Sequence, residues 1–145
     1  AVSTLSNAGI LDGYEDGTVR PDGNITRAEF ATITARVLEA SYDGGNRFPD
    51  IDGHWAAEVV SFAAEEGWVS GYPDGTFRPD APVSRAEAVK ILNHALDRRA
   101  GERAAALPFT DVEKGHWACD EIREAAVSHI YRKSGEGETW LTYER

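Results

Sequence analysis

Methionine is absent from this 145-residue chain, and cysteine occurs once, at Cys119. A lone cysteine excludes an internal disulfide and assigns no redox compartment. The absence of an initiator Met and of a leader-like segment suits a mature, processed or excised stretch. No apolar run approaches the ~20 residues that a membrane-spanning helix needs, so membrane insertion is not expected. Basic residues are scarce: 15 Lys and Arg stand against 25 Asp and Glu, a formal net charge of −10. That balance argues against a nucleic-acid backbone as partner. An anionic ligand would have to be met by a particular arginine rather than by a basic surface. There is no nucleophile elbow, no His-Glu-x-x-His and no phosphate loop, so no enzymatic activity and no cofactor are expected. Metal sites fare no better. Asp12-x-Tyr14-x-Asp16-Gly17 begins like a calcium loop, but its third position is Tyr, its twelfth is Gly23, and the later copy opens on Ser70. His116 and Cys119 share a helical face without a second ligand pair nearby, which suits a packed cysteine better than a metal.

What the chain has is a repeated stretch. Residues 71–80 read Gly-Tyr-Pro-Asp-Gly-Thr-Phe-Arg-Pro-Asp, dense in turn formers, and lead to Ser84-Arg85-Ala86-Glu87. Residues 13–22 read Gly-Tyr-Glu-Asp-Gly-Thr-Val-Arg-Pro-Asp and lead to Thr26-Arg27-Ala28-Glu29. Laid over each other without a gap, residues 9–38 and 67–96 agree at 14 of 30 positions; ordinary composition would give about two. The offset is 58 residues, which makes this an internal repeat. In each copy a turn-rich loop delivers the chain into a helix. Thr26 with Glu29, and Ser84 with Glu87, form capping boxes: hydroxyl and carboxylate satisfy the free N–H groups at the helix start. Arg27 and Arg85 then fall on the first turn.

Apolar spacing predicts a short helix over residues 1–9 and a second over roughly 27–39, with Phe30, Ile33, Val37 and Leu38 on its inner face. A third is expected over 54–66, ended by Gly67, with Trp55, Val59 and Phe62 on one side. A fourth starts at Arg85 with Ala88, Ile91, Leu92, Ala95 and Leu96 inward, and is expected to run on through Asp97-Arg98-Arg99, since the Ala-rich 100–106 has few strong breakers besides Gly101. Phe109-Thr110-Asp111 and His116-Trp117-Ala118 restate Phe48-Pro49-Asp50 and His54-Trp55-Ala56, so a further helix is expected over 116–128. Trp55 and Trp117 are read as core anchors. Residues 134–140 are a faint echo of the turn-rich loop, and 139–145 are expected to dock back on the helices.

One unit is thus Phe-x-Asp, His-Trp-Ala, helix, Gly, the turn-rich loop, then Thr/Ser-Arg-Ala-Glu on a second helix. It resembles the S-layer homology (SLH) module over roughly 2–40, 48–98 and 109–140. The resemblance implies a mainly α fold, a pseudo-threefold spindle of tandem repeats with turn-rich loops. Its parts would be the second half of a repeat (1–40), a whole repeat (48–98), and the first half of a third with a degenerate end (109–145), together one SLH domain. It further implies an extracellular location on the bacterial surface. The implied role is non-catalytic anchoring by binding secondary cell-wall polysaccharide, often pyruvylated, in grooves between repeats. By the same resemblance Arg27 and Arg85 contact the pyruvyl carboxylate. Independently, a guanidinium grips a carboxylate with two N–H bonds, and a helix start adds donors.

Each residue also has a plainer reading. Arg27 and Arg85 suit an exposed first turn or an internal ion pair. Tyr14 and Tyr72 suit stacking on a sugar ring or an amphipathic core position with the hydroxyl in water, and Trp68 suits groove or core. Thr26, Glu29, Ser84 and Glu87 are caps rather than ligands. The alternative role is an assembly module that packs against another protein or another copy, with a vestigial sugar site.

Overall fold

The computed structural model describes residues 2–98, 107–134 and 137–143. Among these the protein is mainly helical: α1 (Val2–Asn7), α2 (Arg27–Val37), α3 (Ala57–Glu65), α4 (Arg85–Ala95) and α5 (Cys119–Ala126), then strands β1 (His129–Ser134) and β2 (Gly137–Tyr143). It divides into two compact units, Ala1–Val83 and Ser84–Arg145.

In the first unit α2 packs on α3. The face α2 buries is made of small residues: Ala28, Ala31 and Ala35 are fully buried, with Thr32 and Thr34 beside them. This corrects the expected face of Phe30, Ile33, Val37 and Leu38, since Val37 is 54% exposed. Small side chains let two helix backbones approach closely, and that outweighs the larger residues' hydrophobic pull. Ile51, Ala56, Val59, Val60, Ala63, Trp68, Val69 and Phe77 complete the core. Phe48 stacks on Phe77 with ring centres 5.5 Å apart, and Phe62 meets Trp68 edge to face at 5.2 Å. Trp68 is therefore a core residue. Gly71 is required here: a Cβ on it would lie 2.6 Å from the Phe48 ring.

Trp55 and Trp117 depart from expectation. They are 64% and 60% exposed. The helices begin later than predicted, at Ala57 and Cys119, so His-Trp-Ala forms the turn before each. His54 Nδ1 accepts the N–H of Ala56 (3.1 Å), and His116 Nδ1 accepts that of Ala118 (3.2 Å). The histidine bends back as a cap, the alanine turns fully inward, and the tryptophan between them faces solvent.

In the second unit α4 packs on α5. Asn93 Nδ2 donates to the Glu121 carbonyl and carboxylate, at 2.9 and 2.8 Å. Ile91 is buried, but Leu92 and Leu96 are 42% and 52% exposed, against their expected inward place. The helix also stops early. Leu96 caps it, and Asp97 turns left-handed (φ 53°), as Glu39 does in the equivalent place after α2 (φ 51°). The expected extension beyond Arg98 lies outside the described residues. Cys119 is buried, and Arg123 Nη2 donates to its sulfur.

Where a turn-rich loop was expected near the end, the chain makes an antiparallel hairpin instead, with Ser134 paired to Gly137 and Arg132 to Thr139. Alternating β-branched and aromatic residues in His-Ile-Tyr-Arg and Glu-Thr-Trp-Leu-Thr-Tyr outweigh the weak turn echo. Of the segment 139–145, expected to dock on the helices, residues 139–143 belong to β2, and 144 and 145 lie outside the described residues.

Candidate functional site

The two turn-rich loops have the same internal geometry. In the first, Tyr14 N–H donates to the Thr18 carbonyl and Gly17 N–H to the Tyr14 carbonyl, both 2.8 Å. In the second, Tyr72 and Thr76, then Gly75 and Tyr72, make the same bonds at 2.8 and 2.9 Å. Asp16 accepts from the backbone and hydroxyl of Thr18, and Asp74 from those of Thr76. Arg20 pairs with Asp16 at 3.0 Å and lies 3.9 Å above the Tyr14 ring. Arg78 pairs with Asp74 at 2.9 Å and lies 4.0 Å above Tyr72. Both arginines sit in the left-handed region, at φ 45° and 59°.

These bonds set the charge state. The Thr18 hydroxyl and amide, then Arg20, hold the Asp16 carboxyl at about 2 instead of 3.8. The Thr76 hydroxyl, Arg78 and the Thr76 amide push Asp74 down further. A depressed acid stabilises the fold fully above its ordinary value and loses that contribution as pH falls through the folded value. Acidification from 3.8 towards about 2 is therefore expected to loosen the first loop. The Thr18 amide resonance should report this in a pH titration. A midpoint at the ordinary carboxylate value would remove the Asp16 turn as the cause.

The loops differ in what surrounds them. The second is clamped by α2. Arg27 is 4% exposed. Its Nε donates to the Phe77 carbonyl at 2.9 Å and its Nη2 to the Ser70 carbonyl at 3.2 Å. Its guanidinium carbon lies 4.6 Å from the Phe77 ring centre and 4.9 Å from that of Tyr72. The α2 backbone joins in: Arg27 N–H donates to Ala81 O (2.9 Å) and Ala28 N–H to Pro79 O (3.0 Å), while Val83 N–H donates to Ile25 O (3.1 Å). From the other side Asp50 accepts the N–H groups of Phe77 (2.8 Å) and Arg78 (2.6 Å). Burial pushes the Asp50 carboxyl up, but these two donors outweigh it and leave it below the ordinary value.

The first loop borders an open groove of about 550 Å³ instead. Its wall includes Leu11, Tyr14, Val19, Ile33, Arg36 and Trp55. The Tyr14 hydroxyl donates to Glu29 Oε1 at 2.8 Å, which raises the Tyr14 pKa. Glu29 Oε2 accepts the Thr26 N–H, closing the α2 capping box. Arg36 pairs with Asp12 at 2.7 Å.

The structure thus separates the residues singled out in the sequence. Arg27 and Tyr72 share the joint between α2 and the second loop, Tyr14 faces the groove, and Trp68 is in the core. Arg85 lies in the second unit and is exposed on the first turn of α4. There Ser84 Oγ accepts the Glu87 N–H, and Glu87 Oε2 accepts from the Ser84 backbone and hydroxyl. Sequence reasoning missed Asp50 as a loop clamp. Its signal was the recurrence of Phe-x-Asp ahead of His-Trp-Ala. Among the described residues no cluster of His, Cys, Asp and Glu is arranged to hold a metal ion.

A model of the S-layer homology domain matches residues 1–31 and 47–89. The cellulosome-anchoring protein of Acetivibrio thermocellus is 39% identical over 144 residues, covering 95% of this chain and 32% of its own length. Cell surface glycoprotein 1 of the same organism is 39% identical over 153 residues, covering 97% of this chain and 7% of its own. The S-layer protein EA1 of Bacillus anthracis is 37% identical over 116 residues, covering 79% and 12%. The chain spans a third or less of the length of each of these relatives.

Proposed function

This chain belongs to the S-layer homology family, and from that membership we propose that it anchors a surface protein by binding an anionic, pyruvylated wall polysaccharide through Arg85. The family and its relatives place the chain outside the cell, at the bacterial surface, as a cell-surface anchoring module. No helix among the described residues is long and apolar enough to cross a membrane.

The observation that carries the reading is the divergence of the two capping-box arginines. Arg27 is spent on the second loop. Arg85, the same residue of the same motif, stands exposed. The carboxylate closest in sequence, Glu87, is engaged in its capping box. Arg85 therefore presents two parallel N–H donors beside a helix start, the arrangement that suits a carboxylate on a sugar. The rest of the module positions this residue and performs no chemistry.

Purified cell wall provides the test. The chain should sediment with wall that retains its secondary polymer and stay in solution with wall stripped of it. Arg85→Ala should weaken binding about tenfold, the loss of about 1.5 kcal/mol that a charge-assisted pair supplies. Thermal unfolding should be unchanged, because the residue is exposed. Undiminished binding to stripped wall, or to intact wall after the substitution, would refute the reading.

A further inference from the structure

We propose that the open groove beside the first loop is the acceptor for the first turn of α4 of a second copy, so that chains associate head to tail. The joint between α2 and the second loop is the template. There the loop offers the carbonyls of Ser70, Phe77, Pro79 and Ala81, the Tyr72 ring, and the edge at Pro82 and Val83. Subtracting the 58-residue offset gives Asp12, Val19, Pro21, Gly23, Tyr14, Asn24 and Ile25. All seven line the groove. The first loop also holds the same internal bonds as the second, so it is already shaped as an acceptor. What differs is cover. Phe77 is fully buried under Arg27, whereas Val19 is 37% exposed.

The donor is defined in the same way. The residues that fill the second loop are Ile25, Thr26, Arg27 and Ala28, and the offset carries them to Val83, Ser84, Arg85 and Ala86. Their capping box is formed, as in α2. Ser84 and Arg85 are exposed where their counterparts Thr26 and Arg27 are half-buried and buried.

Charge agrees with the match. The two arginines in the groove are each paired, Arg36 with Asp12 and Arg20 with Asp16. Glu15 and Glu29 also line it, so its formal balance is negative and suits an incoming guanidinium. An anionic sugar suits it less. Donor and acceptor are different surfaces, so the contact is heterologous and builds rings or open chains. Arg85 would then serve either the wall polymer or a neighbouring copy, and the two compete. This inference shares a residue with the anchoring reading but not a ligand, and is tested without polymer.

Sedimentation velocity of the chain is expected to show association that grows with concentration. Two single variants, each checked for native unfolding, should stay monomeric alone: Arg85→Glu, which spoils the donor, and Val19→Arg, which places a like charge in the acceptor. Mixed, they should form a one-to-one complex that grows no further, because each supplies the surface the other lacks. A wild-type chain that stays monomeric to high concentration would overturn the proposal. So would association that ignores Arg85, or a mixture that stays monomeric. Trp55, on the groove wall, gives an independent readout: its fluorescence should shift with self-association. A shift only on adding pyruvylated disaccharide would assign the groove to sugar and refute a second copy.

Discussion

Replacing Arg27 with alanine is expected to destabilise the first unit by about 3 kcal/mol, read as a fall in the denaturant midpoint at constant slope. A hydrogen bond from a charged group is worth roughly 1.5–3 kcal/mol, and Arg27 donates to the carbonyls of Phe77 and Ser70. Its stacking on the Phe77 and Tyr72 rings adds about 1 kcal/mol. Against this, the variant no longer buries a charge, and the Ser70 carbonyl, on an exposed residue, recovers water. Arg27→Lys should recover less than half of the loss. An ammonium group can neither span both carbonyls with a rigid fork nor lie flat on a ring. The effect should spread to the loop, with faster amide exchange at Tyr72 and Thr76, because α2 and the loop hold each other. A loss under about 0.5 kcal/mol, within the range of ordinary surface substitutions, would show that the joint does not depend on the guanidinium.

The second large effect is expected in the other unit, at Glu124. This carboxylate is 1% exposed. Arg98 Nη2 donates to its Oε1 at 2.9 Å, and His129 Nε2 lies 3.1 Å from the same oxygen. His129 is fixed in turn by Nδ1 against the Val127 carbonyl at 2.7 Å. Glu124→Ala would leave Arg98 and His129, 3.2 Å apart, without the carboxylate between them. Breaking a buried pair this way costs roughly 3–5 kcal/mol, and the partial exposure of Arg98 places the loss near the lower end, about 3 kcal/mol. Glu124→Gln keeps the shape and one acceptor, and should fall between. Because His129 opens β1, amide exchange in that strand should rise with the instability. Unaltered exchange in β1 despite a large global loss would separate the hairpin from this cluster.

What could be read in the sequence was what is local. Thr26 with Glu29 and Ser84 with Glu87 cap their helices through bonds spanning three residues, so spacing alone located them. The turn loops were legible for the same reason, since Asp16 and Asp74 close them over two residues. The use of Arg27 was not legible. Its partners lie 43 and 50 residues away, and nothing in Thr-Arg-Ala-Glu distinguishes it from Ser-Arg-Ala-Glu. Helix faces also misled. Leu92, Leu96 and Val37 match the apolar period but stand in solvent, because α2 is packed through alanines and a period does not say how close the partner helix comes. Trp55 and Trp117 failed differently: three residues of error in where each helix begins, at 57 rather than 54 and 119 rather than 116, turned an inward residue outward. The final hairpin was hidden because its glycines suit a loop and a strand turn equally.

The joint between α2 and the second loop also bears on how such a chain lengthens or shortens. Lineages copy stretches of DNA, and the stretch visible as a copy here runs from Phe48 through the helix that begins at Arg85. The closure that buries Phe77 obeys a different boundary, because Arg27, which completes the loop of residues 70–79, is inherited with the preceding copy. A cut between copies, at the polar stretch 41–47, separates the second loop from Arg27. A cut after the turn, just before Ser84, keeps them together. Gains and losses of modules that break at the second kind of place should leave functional proteins, and breaks at the first kind should be purged.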